Sequence, residues 1–217
     1  MDDVNEIYLL WKFILGKNGS QGYAAPSDFN LLINQAQKSY VAYLLGSFQR
    51  YTPGRPVANV ELGQNSVVRQ RLAPVIYGYN LPINQSTGFS AYPQDYLQTD
   101  SMWSIYGFKK IRYADQHKFA SIYGSVIDPI SSNPIYVLES VGFNFYPSNP
   151  MGFTQAKLHY VRECPDMVWG YTTDAQGRPV YSAAHSTQPV WDSVALMEIL
   201  VRALQIAGVN LQMGVVM

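Results

Sequence analysis

The sequence predicts an α+β fold in which N-terminal helices and a C-terminal helix form a helical bundle around an inserted antiparallel β region. Two observations carry this expectation. The ends of the chain hold long apolar segments of helical period with almost no charge: between Phe29 and Gln49 the only formal charge is Lys38, and between Ser193 and Val216 there are only Glu198 and Arg202. The middle is instead rich in Tyr and Pro and breaks into short alternating runs, which is strand-and-turn chemistry. The expected organisation is one structural unit in three stretches: a helical part at 1–76, a β region at 77–188, and a C-terminal helix at 189–217 that packs back on the first.

The first helix is expected over about 3–15, with Val4, Ile7, Tyr8, Trp11, Ile14 and Leu15 on one face. Leu9, Leu10 and Phe13 fall on the other side, so two faces want burial, and glycines at 16, 19 and 22 end the helix. Pro26 suits the first turn of a second helix, with Asp28 near its positive end. Its main stripe is Phe29, Ile33, Ala36, Tyr40, Leu44 and Phe48. Leu31, Val41 and Leu45 lie nearly opposite, and Asn30, Asn34, Gln35 and Gln37 fill the gaps with uncharged amides. A helix this poor in charge is expected to face protein on most sides.

The Pro- and Gly-containing stretch 51–56 is an expected break, and a short third helix is expected over about 64–72, stopped by Pro74, with Arg69 and Arg71 in solvent. Beyond Tyr77, residues 92–97 suggest a helical turn entering Trp103, and 110–113 a strand. A short helix is expected behind an Asp115 cap, and 135–139 with 143–146 read as a hairpin around Gly142. Residues 156–162 form the cleanest strand, a last hairpin runs from 169 to 181, and the final helix begins near Asp192 and ends at Gly208. In that helix Glu198 and Arg202 stand at i,i+4 spacing, which favours a pair.

Composition narrows the function classes. Lys plus Arg equals Asp plus Glu at 15 each, so no basic surplus marks a protein that grips nucleic acid mainly through phosphates. Charged residues make up 14% against ~25% in an average soluble domain, which leaves little repulsion between copies. The 17 Tyr suit contact with other protein surfaces. The single Cys164 forms no internal disulfide, the acidic start does not resemble a secretion signal, and the apolar runs are too short to span a bilayer. His117, His159 and His185 sit in different elements without metal-ligand spacing, and on a strand His159 and Cys164 point to opposite faces. Neither a phosphate loop nor a singled-out acidic pair is present, so no catalytic residue, cofactor or metal is expected. Two lesser readings remain: a Tyr-rich glycan- or protein-binding module, and a hydrolase with scattered residues. The candidate assembly interface is Leu9, Phe13, Leu31, Val41, Leu45, Tyr92, Tyr96 and Trp103.

Several local patterns share one family likeness. They are Gly22-Tyr23 before Pro26-Ser27-Asp28-Phe29-Asn30, then Asn34-Gln35-Ala36-Gln37, Tyr51-Thr52-Pro53-Gly54-Arg55-Pro56 and Tyr92-Pro93-Gln94-Asp95-Tyr96-Leu97. Asn133-Pro134-Ile135-Tyr136, Phe145-Tyr146-Pro147, Val190-Trp191-Asp192 and Arg202-Ala203-Leu204 to Gly208-Val209-Asn210-Leu211 extend it over nearly the whole chain. In these the chain resembles the head–tail connector (adaptor or ring) structural proteins of crAss-like and related short-tailed bacteriophages. The resemblance implies a non-enzymatic virion protein, made in the host cytoplasm, that forms closed cyclic oligomers, with dodecamers the expected form. It implies a portal protein and tail or other ring proteins as partners, non-specific contact with passing DNA, and no membrane.

Overall fold

The computed structural model describes residues 3–15, 25–46, 66–105, 107, 109–125, 128–147 and 153–208. The chain divides into two compact units. Unit 1 takes 1–60, 64–74 and 164–217; unit 2 takes 61–63 and 75–163. The fold is mixed α+β. The stretch 164–188, expected from the sequence to belong with the β region, falls in unit 1 with the helices.

Unit 1 contains helices α1 (Val4–Ile14), α2 (Pro26–Gly46), α3 (Ser66–Leu72) and α5 (Ser193–Ile206), and the hairpin β8–β9 (Tyr171–Thr173, Pro179–Tyr181). Asp3 and Asp192 cap α1 and α5, each side chain accepting from a backbone N–H of the first turn. α5 packs along α2 and touches α1, burying Ala195, Leu196, Ile199, Leu200, Ala203 and Leu204. On α2, Phe29, Ile33, Ala36, Tyr40 and Leu44 are buried as their spacing requires.

The amides of α2 have a use within the chain. Asn34 donates from Nδ2 to the Met167 carbonyl at 2.9 Å, while its Oδ1 accepts from the Met167 N–H at 2.8 Å. Asn30 does the same to Trp169, at 3.3 and 2.8 Å. Four helical residues rise about 6 Å and two extended residues about 6.7 Å, so two asparagines one turn apart match alternate residues of an extended segment. Each amide copies the donor–acceptor pair of a neighbouring strand. Gln37, 1% exposed, completes the row: its Nε2 donates to Asn34 Oδ1, and its Oε1 accepts from Trp191 Nε1 and Cys164 Sγ. The segment thus fastened carries Met167 and Trp169 into the core, where Trp169 lies 4.1 Å from the Tyr8 ring.

Unit 2 holds two sheets. One is antiparallel, in the order β1–β7–β3 (Ile76–Pro82, Gln155–Arg162, Tyr96–Ser104). The other is β2–β6–β5–β4 (Phe89–Ala91, Gly142–Tyr146, Ile135–Leu138, Arg112–Tyr113), with β4 parallel to β5. Helix α4 (Gln116–Ile122) starts at the Asp115 cap. Alternation on β7 puts Ala156, Leu158 and Tyr160 into a core shared with Leu81, Met102, Phe143 and Phe145. Gly142 belongs to β6 and not to the turn before it, and the position takes glycine because a Cβ there would meet the Ser90 carbonyl oxygen at 2.2 Å. Residues 92–97 also depart from expectation. A turn closed by Tyr96 N–H to Pro93 O leads directly into β3, since Tyr96 already pairs with Arg162. Phe48, the breaks at 16–22 and 51–56 and the tail 209–211 lie outside the described residues.

Two outcomes check this fold. Asn34→Leu strips a buried carbonyl and N–H of their partners and should lower unfolding free energy by about 2–4 kcal/mol in urea titration. In unit 2 the Tyr160 hydroxyl donates to Asp95 Oδ1 at 2.6 Å. Burial first, and the Asp95 carboxylate second, push the Tyr160 hydroxyl above the usual tyrosine value of 10.0. The neutral phenol is therefore favoured in the folded state. Its contribution is complete below pH 10 and is lost as pH rises from there toward the folded value. Tyr160→Phe should flatten the alkaline arm of a stability–pH curve.

Candidate assembly surface

The residues singled out for an interface separate into three environments. Leu9 and Phe13 on α1 and Leu31 on α2 are exposed, at 51%, 68% and 68%. Leu45 is half-buried. Val41 is a correction: it is 3% exposed and belongs to the core of unit 1. The physical reason is its helical row. Asn30, Asn34, Gln37 and Val41 follow one another at i, i+4, i+7 and i+11, and the first three are covered by the segment 164–169 and Trp191 of the same chain. The second face of α2 is thus partly satisfied inside one subunit.

Tyr92 and Tyr96 also serve their own unit. Their rings stack at 4.5 Å and 4°, both meet Phe143 edge-on, and their hydroxyls bond to the Glu139 carbonyl and to Thr99. Burial raises both hydroxyl pKa values. Trp103 is half-buried, its ring 4.7 Å from that of His159.

An apolar surface that the sequence did not single out lies on α5. Val194, Met197 and Val201 are exposed at 62%, 45% and 38%. They succeed one another at i, i+3 and i+7 and so form a ridge opposite the buried stripe. The charges beside the ridge are turned to other helices. Glu198 does not pair with Arg202 as its spacing suggested; it pairs with Arg71 of α3 at 2.9 Å. Arg202 instead lies over the Tyr43 ring at 4.6 Å and the Tyr40 ring at 5.8 Å. Burial, then the Glu198 charge, raise the Tyr40 hydroxyl pKa. With both partners more than a third exposed, the Arg71–Glu198 pair is worth no more than about 1 kcal/mol, so its consequence is directional. It draws charge off the ridge.

Two of the residues weighed for catalysis have other engagements. Cys164 Sγ donates to Gln37, and His185 Nδ1 bonds the Ser182 hydroxyl at 2.8 Å. Among the described residues, no group of three or more His, Cys, Asp or Glu is placed to hold a metal ion, and no helix is long and apolar enough to cross a membrane. No protein-family model matches the chain, and no curated protein matches it.

Core and surface assignments make opposite demands on a carboxylate. Val41→Asp should cost on the order of 4 kcal/mol or prevent folding, because the charge is buried without a partner. Val201→Asp should stay within about 0.5 kcal/mol of the parent and keep its circular dichroism.

Proposed function

We propose that the protein is a non-enzymatic virion structural protein, a subunit of an oligomeric ring in a bacteriophage head–tail connector, which joins the portal to the tail and leaves a channel for DNA. The observation that carries this reading is the α5 ridge of Val194, Met197 and Val201, apolar and in solvent, in a chain with no net charge. Exposed apolar side chains aligned on one helix mark an interaction surface, and the even charge balance removes the penalty for bringing copies together. The family likeness of the local sequence patterns supplies the connector context.

In this reading the N-terminal helices and the C-terminal helix act as a bundle that presents the seam, and the β region is its insertion. A ring closes through heterologous contacts, one face of each subunit meeting a different face of the next. A stable seam buries about 800 Å² per partner, more than three side chains on one helix supply. Leu9, Phe13 and Leu31 are the further exposed residues available to it.

The test is the mass of the native protein by multi-angle light scattering, alone and with the portal protein. The expected result is a ring-sized mass or a stoichiometric portal complex. The double variant Met197→Asp, Val201→Asp should keep its fold and weaken assembly about a hundredfold, two charges in a seam costing about 3 kcal/mol. A parent that stays monomeric and ignores the portal would sink the reading. Weight would then pass to a binding module built on the exposed tyrosines Tyr77, Tyr79, Tyr113 and Tyr123.

A further inference from the structure

The side of the β1–β7–β3 sheet that faces away from the unit 2 core collects residues from distant parts of the sequence. Alternation on β7 turns Lys157 and His159 to this side. Lys157 stands opposite Asn80 of β1 and opposite Trp103 of β3, and Trp103 is bridged in turn to Lys110. Directly paired residues share a face, so Asn80, Lys157, Trp103 and Lys110 form one row across the sheet. With strands about 4.8 Å apart, the two lysines start about 10 Å from each other, one on each side of the indole. The next row is Gly78, His159 and Ser101. Gly78 keeps the floor open, since a Cβ there would stand 3.2 Å from His159 Nε2. Neither row contains an acid, and the carboxylate beside them is that of Asp100, at the register shift of β3, which accepts from the Ser101 hydroxyl at 3.4 Å. The hydrogen bond from Lys157 Nζ, to Asn80 Oδ1 at 3.0 Å, goes to a neutral group and leaves the charge in place.

We infer that this face is a contact platform for single-stranded nucleic acid, with Trp103 as the stacking ring and Lys157 and Lys110 as phosphate contacts. A neutral sugar would use the ring and have no need of the lysines; an acidic peptide would use the lysines and have no need of the ring. An unpaired strand uses both, because each base offers a flat face and each linkage a charge. A duplex hides its base faces. The zero net charge of the chain makes the contact local and weak, with no field to reinforce it. The inference needs only a single subunit in solution and does not rest on the connector reading.

The experiment is a titration of the full chain with oligothymidylate at low salt, followed by intrinsic fluorescence. Trp11, Trp169 and Trp191 are buried at 2%, 4% and 4%, so quenching reports on Trp103. Quenching should occur, and with two phosphate contacts the logarithm of affinity should fall against that of salt with a slope of about −1.4. By anisotropy of a labelled oligonucleotide, Trp103→Leu should weaken binding roughly fivefold to a hundredfold. Lys157→Gln and Lys110→Gln should each reduce the slope by about 0.7. These two glutamine variants carry the test should Trp103→Leu lose the native circular dichroism. Absence of quenching overturns the inference, as does a slope unchanged in both glutamine variants. Equal affinity for a duplex or for heparin after Trp103→Leu would reduce the face to a general polyanion surface and also overturn it. Quenching by a neutral oligosaccharide without salt dependence would assign it to glycan.

Discussion

Unit 1 depends on one row of side-chain amides. Asn30, Asn34 and Gln37 of α2 hold the extended segment 164–169 and Trp191, and without them the backbone of Met167 and Trp169 would enter an apolar core with its polar groups unpaired. An unpaired buried peptide group costs more than a made hydrogen bond gains, so the row is both an attachment and a condition for burying the residues it attaches. Apolar residues at these positions would fill space equally well and leave the segment no partner. The cluster of Tyr8, Trp11, Phe29 and Trp169 assembles because the segment arrives at this height on the helix.

The same row explains why charge is scarce on α2 without a neighbouring subunit having to account for all of it. Low charge on a helix means contact with protein, and here part of that protein is the returning chain. What is left exposed and apolar on these helices is smaller and more specific: the α5 ridge and the side chains of Leu9, Phe13 and Leu31. Arg71 and the tyrosine pair Tyr40–Tyr43 shape the ridge by engaging Glu198 and Arg202, the two charges of α5.

Unit 2 follows a different economy. Its two sheets enclose an aromatic core in which Tyr92, Tyr96 and Tyr160 keep their hydroxyls on hydrogen-bond partners at the edge while their rings pack inside. A tyrosine so placed is a core residue with a polar end, which is why a high tyrosine count does not by itself measure interface. The opposite side of the β1–β7–β3 sheet gathers Lys157, His159 and Trp103, set apart in sequence and joined by register.

Part of the element pattern was legible from residue order, while the strands β1, β2 and β3 were not. The Asp3, Asp115 and Asp192 caps, the helical period of α1, α2 and α5, the β5–β6 hairpin and the alternation of β7 are local signals, and local backbone chemistry decides them. Which apolar residues would be covered was not legible. Val41 and Leu31 belong to the same helix and are of similar hydrophobicity; one is buried, in the row of Asn30, Asn34 and Gln37 that other parts of the chain cover, and the other is surface. Val194, Met197 and Val201 look like core by composition and stand in solvent because α2 and α1 take the other side of α5. A sequence sets the period of a helix and the width of its apolar arc. The direction in which that arc is covered depends on where distant segments return, and only the tertiary structure decides it.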